Sequence, residues 1–352
     1  MAIKILNNGI QIGSYTLQET AGGLLFNGTV IARSYYREKA YQGQQEAFMA
    51  GGVNPGLIMV ASVEKFPFAT TTVAGTSLFN MGYPTFGGAS ASSDTHGYVS
   101  GGYNPGGQSG TIYKYPFATA GVTTTTTVGI LYPYYGARSY GNGHASATYG
   151  FVSGGTLATP GLSTSSVERF PFFNDNNGQQ VSYLTVSRRN IAGISSSTFG
   201  YAAGGADTSI LQTIDKFPFI SDSYASGVGN LYAAREVGSG ISSQTNGYVA
   251  GGAAPPTYPG TATNFVDKFP FATDSNAVRV GNLAQARWGA GGHSSLSDGY
   301  ITGGSNSPGT VGYGSGNSLN TVDKFAFSND VGGATVVGSL AATRTGHAAH
   351  QY

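Results

Sequence analysis

The chain reads as an all-β, six-bladed β-propeller of four-stranded blades, and three observations predict it. Six Gly-Gly pairs (Gly51-Gly52, Gly101-Gly102, Gly154-Gly155, Gly204-Gly205, Gly251-Gly252 and Gly303-Gly304) recur at intervals of 50, 53, 50, 47 and 52 residues. Each pair ends an apolar strand and is followed by a basic-aromatic one, as in Val266-Asp267-Lys268-Phe269-Pro270-Phe271. Four strand-like segments, punctuated by Gly, Asn and Asp, fill each unit. A period near 50 with four strands per unit is the signature of a propeller blade.

The N-terminal segment precedes the repeat. Ile3 and Ile5, then Ile10, Ile12, Tyr15 and Leu17, alternate around Asn7-Asn8-Gly9, and Asn27-Gly28 follows Leu24-Leu25-Phe26. Asn-Gly between apolar runs predicts a β-hairpin arm, assigned to residues 1–45. A lone hairpin is marginal in water, so the arm must pack on the propeller, pair between chains or anchor the protein to a partner. Residues 46–352 form the propeller.

Within each unit the second strand opens on Gly-aromatic-apolar, as at Gly97-Tyr98-Val99, Gly150-Phe151-Val152 and Gly299-Tyr300-Ile301, with Ala47-Phe48-Met49 in the first unit. The third strand carries an in-register proline in five units (Pro67, Pro116, Pro171, Pro218, Pro270) and Ala326 in the sixth. Proline has no ladder donor, so it should end that strand or lie at an edge. The Gly-Gly pairs suit a crowded place near the axis, where a Cβ has no room. None belongs to a phosphate-cradling loop before a helix.

The end of the chain supplies the closure. An Arg stands twelve residues before the opening Gly in four units (Arg138, Arg188, Arg235, Arg287), and Arg344 matches it without a following Gly-Gly strand. Residues 346–352 are therefore expected beside Glu46 to Gly52, completing a composite first blade and avoiding unpaired edges. That closure implies six blades rather than seven.

Composition narrows the function. The 352 residues carry a net charge of +1 and only 9% charged residues, which leaves no electrostatic footprint for nucleic acid. Without cysteine there is no disulfide framework or thiolate metal site. Aromatics at 12% exclude a disordered linker, and no apolar run reaches the ~20 residues needed to span a bilayer. The first residues lack the pattern of a signal peptide, so folding in the cytoplasm is the expectation. The abundance of Gly, Ser, Thr, Asn and Tyr nevertheless suits a surface that works outside cells.

The apolar strand running into Gly-Gly, followed by spaced aromatics, resembles the kelch repeat from about residue 33 to 352. Kelch units place Tyr and then Trp after the glycines; here Phe-Pro-Phe stands instead, and the one Trp is Trp288. The opening residues, the Gly-Tyr-Val-x-Gly-Gly strings and the Asp-Lys-Phe-Pro-Phe strings resemble structural proteins of tailed bacteriophages, those of aquatic cyanobacterial phages in particular. The resemblance implies a virion protein assembled in the host cytoplasm and bound through its arm to other virion proteins. Homo-oligomerisation is compatible with it.

No catalytic residue, metal ligand or cofactor is expected. His144, His293 and His350 each follow their unit's Arg by six residues, where other units have Ile194 and Ile241. A place shared by His and Ile is a packing position rather than a ligand. Kelch propellers include galactose oxidase, whose copper site needs a Cys that is absent here. No sialidase box is present, and no nucleophile elbow stands between a strand and a helix. The Lys of the third strands follows the blade period and so belongs to the surface or to blade contacts.

Uniqueness lies in the loops after each Gly-Gly. The longest, 253–265 and 305–321, carry the candidate binding residues Tyr258, Phe265 and Tyr313, and Tyr among small polar residues gives contact area at low entropic cost. The expected function is a non-enzymatic virion protein with its propeller on a tail fibre or similar appendage, contacting host-surface glycan. A capsid or neck decoration without receptor role and a carbohydrate-active propeller enzyme are the alternatives.

Overall fold

The computed structural model describes residues 42–352 apart from 57, 69–71, 133–136, 159–160, 257–259, 308–316 and 330–332; before residue 42 it describes the backbone of five strands. The described residues form strands and turns without a helix. The chain divides into two compact units, Met1–Lys39 and Ala40–Tyr352.

In the first unit the predicted hairpin is a larger sheet. Strands Ile3–Leu6, Gly9–Ile12, Tyr15–Thr20, Gly23–Phe26 and Thr29–Ala32 pair antiparallel in chain order. Ile5 stands opposite Ile10, Ile10 opposite Leu17, and Leu17 opposite Phe26. The alternation that suggested two strands continues through five, which meets the need for three or more strands in an independent sheet.

The second unit is a propeller of six four-stranded sheets. Blade five shows the plan: Ser239–Ser242 innermost, then Asn246–Ala250, Phe265–Pro270 and, outermost, Val278–Asn282. The third strand ends on its proline, as it does at Pro67, Pro116, Pro171 and Pro218. The other innermost strands are Ala348–Gln351 in blade one, Ala89–Ser92 in two, Asn142–Ala145 in three, Ala192–Ser195 in four and Gly291–Ser294 in six. Each packs against the innermost strands of both neighbours, and the circle is complete.

Closure follows the predicted course. Ala348–Gln351 pairs antiparallel with Glu46–Ala50, placing His350 opposite Phe48. The carbonyl of Tyr352 accepts from the amides of Gln44, Gln45 and Glu46. On the rim, Val73–Ala74 from blade one's chain adds in parallel to the outer strand of blade six. One circle is thus locked at its centre and at its edge by segments far apart in sequence.

Aromatic side chains explain the Phe-Pro-Phe strings. The aromatic of each second strand packs against both aromatics of the next blade's third strand. Tyr98 meets Phe170 and Phe172, Phe151 meets Phe217 and Phe219, and Tyr201 meets Phe269 and Phe271. The sequence continues through Tyr248 with Phe325 and Phe327, Tyr300 with Phe66 and Phe68, and Phe48 with Tyr115 and Phe117. The closer ring of each pair lies 4.7–5.2 Å away, as for Phe151–Phe219 and Tyr248–Phe327. Such pairs contribute about 0.5–1.5 kcal/mol each beyond burial. Pro between the two Phe ends the ladder and leaves both rings on the blade interface.

Candidate functional site

The Gly-Gly pairs are not at the axis. They lie where one blade's second strand meets the link into the next blade, and both glycines have positive φ, 63° and 98° at Gly204 and Gly205. A Cβ on Gly204 would collide with the carbonyl oxygen of Arg235, the same oxygen that accepts the Gly205 amide at 2.9 Å. The axis has its own small residues: a Cβ on Gly240 would overlap the backbone of Gly193 in the adjacent inner strand.

The arginine at each junction has a second partner. Arg188 pairs with Asp215 at 2.7 Å and Arg287 with Asp323 at 2.8 Å, all four side chains fully buried. Arg138 pairs likewise with Glu168, Arg235 with Asp267, and Arg344 with Glu64. Arg287 also donates to the carbonyls of Gly303 (3.0 Å) and Thr321. The guanidinium therefore ties the link to its own blade, while the backbone carbonyl beside it holds the preceding blade's Gly-Gly amide. Burial raises the Asp323 and Glu168 carboxyls and lowers the Arg287 guanidinium despite the attraction between partners. The pairs are structural clasps rather than strong sources of stability.

The acidic partner was missed in the sequence, although a signal existed. In blade two the Arg position is Thr85 and the acid position is Tyr113, both buried. The charges are absent together, as a buried pair requires.

The histidines also complete the interior. His144, His293 and His350 are buried. His144 Nδ1 donates to the Ile194 carbonyl at 3.0 Å, so its Nε2 accepts from the Ser153 hydroxyl at 2.8 Å. His293 uses the carbonyl of His350 and Thr302 Oγ1 in the same way. His350 Nε2 donates to the Tyr98 carbonyl at 2.7 Å, while Nδ1 accepts from the Tyr115 hydroxyl at 2.9 Å. Burial lowers all three to about 4. His347 is lowered well below its ordinary value by burial and by Arg344. Where His144 has Ser153, the equivalent places in blades four and five hold Ile194 with Ala203 and Ile241 with Ala250. No group of three or more His, Asp or Glu among the described residues is arranged to hold a metal.

The axis itself carries a cavity of about 110 Å³ whose wall includes Ser92, His144, Ser195, Ser242 and Ser294. Serine hydroxyls hand bonds between blades: Ala145 N–H donates to Ser195 Oγ (3.1 Å), Ser195 N–H to Ser242 Oγ (3.2 Å) and Ser242 N–H to Ser294 Oγ (2.9 Å). At its mouth six left-handed residues (Gly87, Tyr140, Asn190, Val237, Gly289, Gly346) form a ring. Each amide donates to the carbonyl of the preceding blade's member, at 2.7–3.0 Å, and Gly87 closes the cycle by donating to Gly346. This is a small neutral cavity with its hydrogen-bonding groups turned to blade-to-blade contacts.

Of the residues expected to bind, Tyr258 and Tyr313 lie outside the described residues. Phe265 is not in a loop; it is the first residue of a third strand, and its carbonyl accepts from Gly251 N–H. The Arg279 guanidinium lies over its ring at 3.8 Å and that of Arg235 at 6.0 Å. The structure thus gives Phe265 a packing role in the third strand of blade five. Three of the third-strand cations reach the next blade, with Lys114–Asp175 at 2.7 Å, Arg169–Asp222 at 3.1 Å and Lys216–Asp274 at 2.6 Å, whereas Lys65 and Lys324 pair within their own blades with Glu46 and Asp298.

No protein-family model matches the chain, and no curated protein is similar to it.

Proposed function

We propose that this protein is a non-enzymatic structural component of a bacteriophage-type virion: a kelch-like propeller displayed on a tail fibre or similar appendage, contacting host-surface glycan and anchored through its N-terminal sheet. The observation that supports it most is the division between a periodic interior and an aperiodic rim. Buried Arg, Asp, Glu and His are engaged in clasps between strands and blades. The rim exposes Tyr83, Phe173, Tyr224 and Tyr232, and the acids beside two of them, Asp175 and Asp222, are matched by Lys114 and Arg169, a composition suited to contact rather than to acid–base chemistry. The Gly-Tyr-Val and Asp-Lys-Phe-Pro-Phe strings support the kelch and phage parts of the reading.

Localising the protein on purified particles, by antibody labelling and electron microscopy, tests the proposal. Label at a fibre or comparable appendage is the expected result. Label on the capsid or neck would favour decoration, absence from particles would overturn the virion role, and turnover of host polysaccharide would overturn the non-enzymatic one.

A further inference from the structure

Blade three departs from its neighbours on the rim. After its third strand ends at Pro171 the chain continues Phe172-Phe173, and the extra Phe173 occupies a place held by Ala118, Ile220, Ala272 and Ser328 in other blades. Phe173 is 68% exposed. Its ring meets that of Tyr149 edge-on, with centroids 5.7 Å apart, and the Arg169 guanidinium covers Tyr149 at 4.7 Å. These residues line a groove of about 510 Å³ together with Asn174, Asn176 and Gln179, a volume within the ~300–1,000 Å³ of small-molecule sites.

The far wall is held from blade two. Asp175 is paired with Lys114 at 2.7 Å, Asn177 Oδ1 accepts from Ile130 N–H at 3.0 Å, and Gly178 N–H donates to the Ile130 carbonyl at 2.8 Å. A loop tied at three points loses little freedom when a ligand arrives. The side-chain amides of Asn174, Asn176 and Gln179 have no partner among the described residues.

We infer that this groove binds a neutral carbohydrate. An aromatic face covers the C–H face of a pyranose, while each amide offers a donor beside an acceptor, matching a hydroxyl that both donates and accepts. The one charged side chain in the lining, Arg169, is already matched by Asp222, so the groove favours an uncharged ligand over a carboxylate. The inference rests on the glycan-contact reading above and names its place and ligand class.

The test is titration of the full chain, followed by saturation-transfer NMR, with trisaccharides of glucose, galactose and N-acetylglucosamine and with their uronic-acid counterparts. Saturable binding of at least one neutral trisaccharide is expected. Phe173→Ala should weaken it about tenfold or more and Asn176→Ala several-fold. Ile220→Ala, which trims the exposed side chain at the same place in blade four and lies outside the groove, should leave it unchanged. Thermal melts verify that these exposed substitutions keep the fold. Binding that survives both groove substitutions overturns this site while leaving glycan contact standing. A preference for the uronic acids, or no saturation by any neutral probe, also overturns it; adsorption of the chain to host envelope then decides the wider reading separately.

Discussion

A histidine whose two ring nitrogens both serve the interior must stay neutral. His144, His293 and His350 are lowered by burial to about 4, against an unfolded value near 6.5. Between those values the unfolded chain binds more protons than the folded one. The stability they allow is complete above about pH 6.5 and is lost as pH falls toward 4. Each histidine contributes a slope of about 1.4 kcal/mol per pH unit within that window. Urea melts from pH 7 to 4.5 should show this loss. The paired change His144→Ile with Ser153→Ala, which copies blades four and five, should reduce the slope by about one proton. An unchanged slope would show that His144 titrates normally in the fold. A different residue-scale constraint acts at Gly204. Ala there would force a side chain into left-handed backbone and onto the Arg235 carbonyl, a cost of about 2 kcal/mol or more in a thermal or chemical melt.

At the scale of the element, the unit of construction is a junction rather than a blade. A Gly-Gly turn, the Arg backbone it bonds and the carboxylate under that Arg recur in five of the six junctions. Breaking one partner strands a buried charge. Arg287→Met should therefore destabilise by about 3–5 kcal/mol. The double change Arg287→Thr with Asp323→Tyr, the residues blade two carries, should recover much of that loss in urea melts; equal destabilisation by single and double changes would refute the clasp. The exposed ion pairs between blades, such as Lys216–Asp274, have a carboxylate about half in water and contribute little by comparison. Aromatic stacking supplies the continuous part of the same interface, each blade inserting one ring between two of the next.

For the whole molecule, stability rests on the circle being closed. The last residues provide the inner strand of blade one, Arg344 clasps Glu64, and Gly346 completes the backbone ring at the channel mouth. Removing residues 345–352 withdraws the inner strand and the ring member together, and leaves Glu46–Ala50 as an unpaired edge of blade one. The midpoint of thermal unfolding should fall by about 10 °C or more. A retained midpoint in scanning calorimetry would mean that the remaining sheets hold without closure.

Repetition made most of this architecture legible in the chain itself. Six glycine pairs, in-register prolines and an orphan Arg near the end marked blade number, strand ends and closure, because a blade that must dock on identical neighbours imposes the same local residues each time. What lies between blades depended on contacts that linear spacing does not display. The glycines proved to face the next blade's arginine carbonyl, the carboxylate under that arginine came from a strand some 30 residues on, and Phe265 turned from loop to packed strand. The N-terminal alternation was visible but not its extent, since each added strand is justified only by the one beside it. The rim groove was hidden for the opposite reason: Phe173 is an exception to the repeat, and an exception acquires chemical meaning only when folding brings Tyr149 and the free amides around it.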